Sequence, residues 1–170
     1  MIDRIRSAEA RDAAAIAAIY NHYVLNTTVS FETEAVSEDV MAGRIAEVLG
    51  IPLPWLVLER DNTLLGYAYA TRWKPRQAYR FSVESSVYLR PDAIGQGSGG
   101  RLYSALIEAL KPLGLHSSLG GIALPNEASI ALHEKLGFRK VGQLHEIGFK
   151  QDRWIDVGYW QLILHSDANG

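Results

Sequence analysis

The sequence predicts a single α/β domain built on one mixed, mostly antiparallel sheet. Three observations lead there. Short apolar strands and helical segments are distributed along all 170 residues with no linker, repeat or low-complexity tract between them. The strands of the first half follow one another as hairpins do. One unit alone, from Phe81 to Leu124, has the strand–helix–strand form that makes a parallel pair.

Ile2 to Arg6 reads as a short first strand. From Ala10 to Val24, apolar side chains at Ala14, Ile16, Ala17, Ile19, Tyr20 and Tyr23 recur at helical spacing. Asn26 to Glu34 is rich in Thr and has no period, so it is a loop. Ser37 is an N-cap for a second helix that carries Glu38 and Asp39 in its first turn and ends near Leu49, before Pro52 and Pro54. Trp55 to Glu59 and Leu64 to Thr71 are strands joined by a turn at Asp61-Asn62. Lys74 to Arg80 breaks the pattern. Phe81 to Leu89 is the next strand, closed by Pro91-Asp92. Gly100 to Leu110 is a helix with apolar positions at Leu102, Tyr103, Leu106, Ile107 and Leu110. Leu119 to Leu124 is a strand weakened by Gly120-Gly121. Asn126 caps a helix that stops at Gly137. Phe138 to Leu144 and Trp154 to Leu164 are closing strands, joined by a polar loop around Lys150 to Arg153. The order is β-α-α-β-β-β-α-β-α-β-β.

Bulk properties exclude several classes. Hydrophobic residues make up 48% and charged residues 21%, ordinary for a globular chain. The net charge of −2 provides no field to draw nucleic acid or an anionic membrane, so neither is expected as a partner. The absence of cysteine removes disulfides, thiolate metal sites and a cysteine nucleophile. Neither an export signal nor an apolar run near the ~20 residues of a membrane span is present, which makes a cytoplasmic location the default expectation.

The stretch Gly95 to Gly100, GQGSGG, formally satisfies G-x-G-x-x-G. The dinucleotide reading fails on context. Arg90 to Ile94 separate the strand from the glycines, the next strand ends at Leu124-Pro125 without an acid, and the preceding strands are antiparallel. No Lys-Ser/Thr follows, so it is not a Walker loop either. General chemistry leaves two readings. One is a mobile Gly-rich turn. The other is a cradle of backbone N–H groups at a helix start, suited to a pyrophosphate.

Read whole, SVYLRPDAIGQGSGGRLYSALIEAL (Ser86 to Leu110) resembles the acetyl-CoA motif of the GNAT superfamily of N-acetyltransferases. LPNEASIALHEKLGF (Leu124 to Phe138) resembles the second motif of that superfamily. YNHYVLNTTVSFETE, PWLVLERD, ATRWKPRQAYRFSVESSVYL and GFKQDRWIDVGYWQL are similar to its phosphinothricin N-acetyltransferase branch, which acetylates phosphinothricin, methionine sulfoximine and methionine sulfone. The resemblance covers nearly the whole chain. It implies the GNAT fold, whose sheet splays to admit acetyl-CoA, and a homodimer. One departure stands out: the first position of the glycine motif, usually Gln or Arg, is Ile94. This leaves the backbone donors of Gly95, Gln96, Gly97, Ser98, Gly99 and Gly100 as the expected pyrophosphate cradle.

Acetyl transfer to an amine needs a held thioester, a polarised carbonyl, a base for the ammonium and a proton for the thiolate; no metal is required. Glu84 is the candidate base. Strand alternation puts it on one face with Ser82, Ser86 and Tyr88, with Val83, Val87 and Leu89 on the other. Burial would raise its pKa and improve it as an acceptor, directly or through a water. The alternative is a solvent-facing glutamate or one paired with Arg80. The resemblance assigns the base to this residue, with Ser85 and Ser86 beside the substrate. His133, which the branch shares, is the second catalytic candidate, to protonate the thiolate or assist deprotonation; alone, a helix histidine reads as structural.

By the same resemblance, the backbone of Val87, Tyr88 and Leu89 pairs with the pantetheine arm and polarises its carbonyl. Asn126 hydrogen-bonds the arm while capping its helix. Arg76 and Tyr79 match the carboxylate-binding residues of the branch, a task suited to the arginine fork; a solvated loop arginine is the plainer reading. Lys74 and Pro75 are lesser candidates. Phe31 walls the cleft or anchors the core. Lys150 and Arg153 are expected to reach a neighbouring subunit. Two rivals share the fold: an enzyme acting on a polyamine, an antibiotic amine or a protein N-terminus, and a non-catalytic module that senses acetyl-CoA.

Overall fold

The computed structural model describes residues 3–165. Ile2, expected to open the first strand, lies outside the described residues. The strands are β1 (Asp3–Ser7), β2 (Trp55–Arg60), β3 (Thr63–Arg72), β4 (Ser82–Leu89), β5 (Ser117–Ala123), β6 (Arg139–Lys150) and β7 (Arg153–Ile163). The helices are α1 (Ala13–Asn26), α2 (Glu38–Gly50), α3 (Ser98–Leu110) and α4 (Glu127–Lys135). They form one seven-stranded sheet in the order β1-β2-β3-β4-β5-β7-β6. Every neighbouring pair is antiparallel except β4–β5. The expected order of elements along the chain and the lone parallel unit are therefore present. Among the described residues no helix is long and apolar enough to cross a membrane.

The register defines two faces. Tyr67 opposes Tyr88, Tyr69 opposes Ser86 and Thr71 opposes Glu84, so these side chains share one face of β3 and β4. Tyr20 and Tyr23 of α1 pack on Tyr88, each with centroids 5.4 Å apart, so α1 covers this face. On the other face, α3 buries Leu102, Tyr103, Leu106 and Leu110 completely. Full burial of one such aliphatic side chain contributes about 1.5–3 kcal/mol, enough to fix which way α3 faces. Ser37 caps α2 by accepting from Val40 N, and Asn126 caps α4 by accepting from Ser129 N. Gly137, with φ +94, stops the chain after α4.

Several boundaries differ from expectation. The first helix is a short 3₁₀ turn over Ala10–Asp12 followed by α1. α3 begins at Ser98 rather than Gly100, because Gly97 takes the N-cap at φ +77, a conformation that favours glycine. β5 runs from Ser117 to Ala123, and Gly120-Gly121 do not interrupt it. β6 continues to Lys150 rather than ending at Leu144. It carries register shifts between Lys140 and Gly142 and between Leu144 and Gly148, which break the alternation that would have marked it. The polar loop expected around Lys150 to Arg153 is a two-residue turn, Gln151-Asp152, with φ 52 and 57. Positive φ at both positions matches the right-handed twist of the flanking strands; Asp61-Asn62 turns the same way, at φ 48 and 63.

Candidate active site

β4 and β5 hold a common register only at Ser82↔Ser117, Val83↔Ser118 and Glu84↔Leu119. Beyond that fork both strands continue without pairing to each other. This leaves a slot bordered by Val87, Tyr88, Asn126 and His133. On the α1 side the slot meets a cavity of about 600 Å³, lined by Tyr20, Phe31, Glu32, Glu84, Ser86 and Tyr159 among others. A second cavity of about 460 Å³, between α2 and the β2–β3 hairpin, reaches Arg44. The Glu32–Arg44 ion pair (2.6 Å) divides the two, with Glu32 on the wall of the first and Arg44 on the wall of the second.

Glu84 is half-buried, and among the described residues no side chain pairs with it; Arg80 stacks instead over Phe81 at 4.2 Å. Burial raises the Glu84 pKa from its ordinary value, and the positive charge of Lys74 opposes that rise. Tyr159 in the same cavity is raised by burial and further by the Glu84 charge. Glu32 behaves oppositely: the Arg44 guanidinium holds it below its usual range. Tyr20 donates to Glu32 and its hydroxyl lies 2.8 Å from Ser30 Oγ; burial, first, and Glu32 push it up to about 12.

Phe31 is 42% exposed, a cavity wall and not a core anchor. Its loop is held from several sides. Asn21 exchanges two bonds of 2.8 Å with Val36, and Lys150 Nζ donates to Val24 O (2.7 Å) and Ser30 O (2.6 Å). Lys150 is thus buried under the loop that carries Phe31 and does not reach outward, contrary to expectation. Arg153 stays exposed, 3.3 Å from Thr28 Oγ1.

Ser85 also departs from expectation. It lies on the α3 face with Val83 and is 3% exposed, bonded to Tyr103 Oη (2.7 Å) and Ser118 Oγ (2.9 Å). Ser86 faces the cavity with Glu84. His133 lies on the α4 side and not among the residues around Glu84. Its Nδ1 donates to Ser129 O (2.7 Å), and its Nε2 faces Tyr103 Oη at 3.1 Å. Burial lowers its pKa, with the Ser129 bond opposing. Arg76 and Tyr79 sit on and beside the exposed turn Gln77–Tyr79 and, with Lys74 and Pro75, do not line the cavity. Lys74 lies 5.0 Å from the Trp73 ring centre.

At the glycine stretch, Gly95 (φ +83) and Gly97 (φ +77) turn the chain into α3, and added Cβ atoms on Gly95, Gly97 and Gly100 would meet open space. Ser98 and Gly99 are buried in the first helical turn, and Ser98 Oγ has no partner among the described residues. The first-turn N–H groups have no intrahelical acceptor. Gln96 turns back on its own loop, donating to Asp92 O (3.0 Å) and accepting from Arg60 (3.2 Å). Ile94 is exposed.

Tyr20, Glu32, Tyr103, Gly121 and Tyr159 stand at or beside the site, and the sequence alone does not mark them. Tyr20 and Tyr103 appear in the sequence only as members of helical apolar stripes. No local pattern ties any of these residues to Glu84.

The profile of the acetyltransferase (GNAT) domain matches residues 5–158. The chain is 46% identical over 156 residues to a phosphinothricin N-acetyltransferase of Alcaligenes faecalis, covering 91% of this chain and 79% of that one. It is 38% identical over 169 residues to an L-methionine sulfoximine/L-methionine sulfone acetyltransferase of Salmonella typhimurium, covering 96% of each. Its fold superposes with a TM-score of 0.92 on the crystal structure of a GNAT superfamily phosphinothricin acetyltransferase from Sinorhizobium meliloti in complex with acetyl-CoA. That pair is 38% identical, over 96% of this chain and 89% of that one.

Proposed function

The chain belongs to the GNAT acetyltransferases, and from that premise we propose that it moves the acetyl group of acetyl-CoA to the α-amino group of a small amino acid or analogue of the phosphinothricin, methionine sulfoximine or methionine sulfone type, with Glu84 as base. It is an N-acetyltransferase acting on amines. The observation that carries the finer reading is the fork. Pairing of β4 and β5 stops at Glu84 and Leu119, so the half-buried, unpaired carboxylate stands where the slot opens into the acceptor cavity.

The residues present fit acetyl-CoA. The slot offers strand edge unpaired by β5 at Val87 and Tyr88 for an extended arm; beyond it the Leu89 carbonyl already accepts from the Tyr23 hydroxyl. Asn126 borders it. Open glycines, the free first-turn N–H groups of α3 and the orphaned Ser98 hydroxyl suit a pyrophosphate without a side chain from Ile94. When bound, acetyl-CoA supplies a thioester carbonyl open to attack. Glu84 takes the proton from the acceptor ammonium, and burial suits it by raising its affinity for that proton. The α1 loop, held by Lys150, keeps Phe31 against the acceptor. Arg44 neutralises Glu32, so among the described residues of the cavity lining a polyamine finds Glu84 alone as a free carboxylate. We assign the acceptor carboxylate to Lys74, whose charge reaches Glu84 from outside the cavity lining, with Arg76 and Tyr79 at the exposed rim.

A homodimer is part of the proposal. The β6–β7 hairpin exposes Val141, Leu144, Ile147, Phe149 and Trp154, a patch of the kind that marks an interface. Sedimentation tests this. The activity is tested by thiol release from acetyl-CoA with phosphinothricin, methionine sulfoximine, methionine sulfone, common amino acids, spermidine and an aminoglycoside. Turnover on the first three, lost in Glu84→Gln, supports the reading. Turnover confined to spermidine or the aminoglycoside overturns the acceptor assignment, and cofactor binding without any turnover points to the sensing module.

A further inference from the structure

β4 continues past Glu84 to Leu89, and β5 continues past Leu119 to Ala123, yet their common register ends at that pair. Adjacent parallel strands ordinarily go on pairing, since each unmade backbone bond leaves a donor and an acceptor wanting. Something holds them apart at one point.

The first unpaired residue of β4 is Ser85, and the first of β5 is Gly120. One buried assembly touches both. Ser85 Oγ spans the fork to Ser118 Oγ (2.9 Å) and lies 3.4 Å from Leu119 O. It also meets Tyr103 Oη at 2.7 Å, and Tyr103 meets His133 Nε2 at 3.1 Å. The His133 ring lies directly against Gly120, where an added Cβ would stand 2.5 Å from Nε2 and 2.7 Å from Cδ2. Phe138 closes the assembly, its ring centre 5.1 Å from His133 and 5.5 Å from Tyr103.

Hydrogen-bond accounting decides how the ring is used. Ser129 O can only accept, so Nδ1 carries the proton and Nε2 presents its lone pair to the Tyr103 hydroxyl. Both nitrogens are engaged, on the sheet face opposite Glu84. Neither has a site left for a group in the slot. Burial lowers its pKa, which favours this neutral tautomer.

We infer that His133 is a positioning residue: linked through Tyr103 to Ser85 of β4 and pressed on Gly120 of β5, it ends the β4–β5 ladder after Glu84 and keeps the slot open. Its value for catalysis rests on the proposed acetyl-CoA reading; the spacer itself does not.

The test compares His133→Ala, which removes the spacer, with His133→Phe, which keeps a ring but no nitrogen, and Tyr103→Phe, which cuts the link to Ser85. Hydrogen exchange of the free protein is followed over residues 85–89 and 120–123. KM for acetyl-CoA and the pH dependence of kcat are measured beside it. In His133→Ala the strands close, exchange at the slot-facing amides slows about tenfold, and KM for acetyl-CoA rises about tenfold, the scale of one buried hydrogen bond. Tyr103→Phe moves both in the same direction, His133→Phe recovers most of the loss, and the pH profile of kcat is unchanged. Unchanged or faster exchange in both His133→Ala and Tyr103→Phe overturns the inference. So does a kcat equally lost in His133→Ala and His133→Phe with KM unmoved and one limb of the pH profile gone, which makes His133 a proton carrier. Should the wild type turn over no acceptor, the proposed function fails while the exchange data still decide the spacer.

Discussion

Gly121 of β5 faces Glu84 of β4 at the mouth of the slot: a Cβ on Gly121 would lie 3.2 Å from Glu84 Oε1 and 3.2 Å from Tyr159 Cε1. Its neighbour Gly120 faces His133 on the other side of the sheet. Two consecutive glycines thus let side chains approach both faces of one strand, and what reads in sequence as a weak strand is a point of close approach in the site. Gly121→Ala forces the carboxylate or Tyr159 to shift by a few tenths of an ångström. Loss of alignment at a reacting group costs on the order of tenfold in kcat or more, with KM for acetyl-CoA little changed. Steady-state thiol release measures both.

Glu84→Gln removes the base and is expected to lower kcat by about 10²–10⁴ while acetyl-CoA still binds. Calorimetry provides an independent sign. Because the folded pKa of Glu84 is raised by burial, its contribution to stability is fully present below the unfolded value and is lost as pH rises through the folded value. Once ionised, the carboxylate is therefore a burden, and at pH 7 Glu84→Gln is expected to be as stable as the wild type or more so. A clear drop in Tm at pH 7 would contradict the burial account.

The same shift fixes the acid side of the rate profile. The base must be ionised, so kcat/KM rises with pH through a midpoint above the ordinary glutamate value. Since Lys74 opposes the rise, Lys74→Met is expected to move that midpoint further up. A midpoint moving down would place the Lys74 charge elsewhere.

Phe31 packs on the backbone of β6, where a Cβ on Gly148 would lie 2.4 Å from its Cε2 and 2.6 Å from its Cζ. Gly148→Ala drives the ring into the acceptor cavity. KM for the amine is expected to rise several-fold with KM for acetyl-CoA unchanged. In a Phe31→Ala background the same substitution has nothing to push and adds little, which a double-mutant cycle reads as strong coupling.

Lys150→Met leaves the carbonyls of Val24 and Ser30 without their buried donor. Each unsatisfied group costs about 1–3 kcal/mol, so the variant should lose about 2–6 kcal/mol by denaturant titration. KM for the amine should rise as well, because Ser30 adjoins Phe31.

The order of strands and helices along the chain, the single parallel crossover, the caps at Ser37 and Asn126 and the stop at Gly137 were all readable from period and punctuation; the place of β7 between β5 and β6 was not. The placement of Glu84 on the polar face of its strand was readable too, because a carboxylate inside an alternating apolar strand is out of place. Ser85 was not. Alternation puts it on the face opposite Glu84, but the resemblance drew it to the substrate. The end of β6 was hidden because its register shifts at Gly142 and Gly148 erase the two-residue period. Lys150 reads as a polar turn residue, and nothing near it in the chain announces that Val24 and Ser30 wait above it.

That contrast has one physical source. Local periodicity records which side of an element must leave water, and so it carries the elements, their order and the chemistry of each face. It contains no information on what a residue meets across the sheet. That Gly121 admits Glu84, that Gly120 admits His133, that Glu32 is spent on Arg44 and that β4 and β5 part after one named pair are set by strand register and by helices crossing from distant parts of the chain. Those contacts exist only once the whole core has closed.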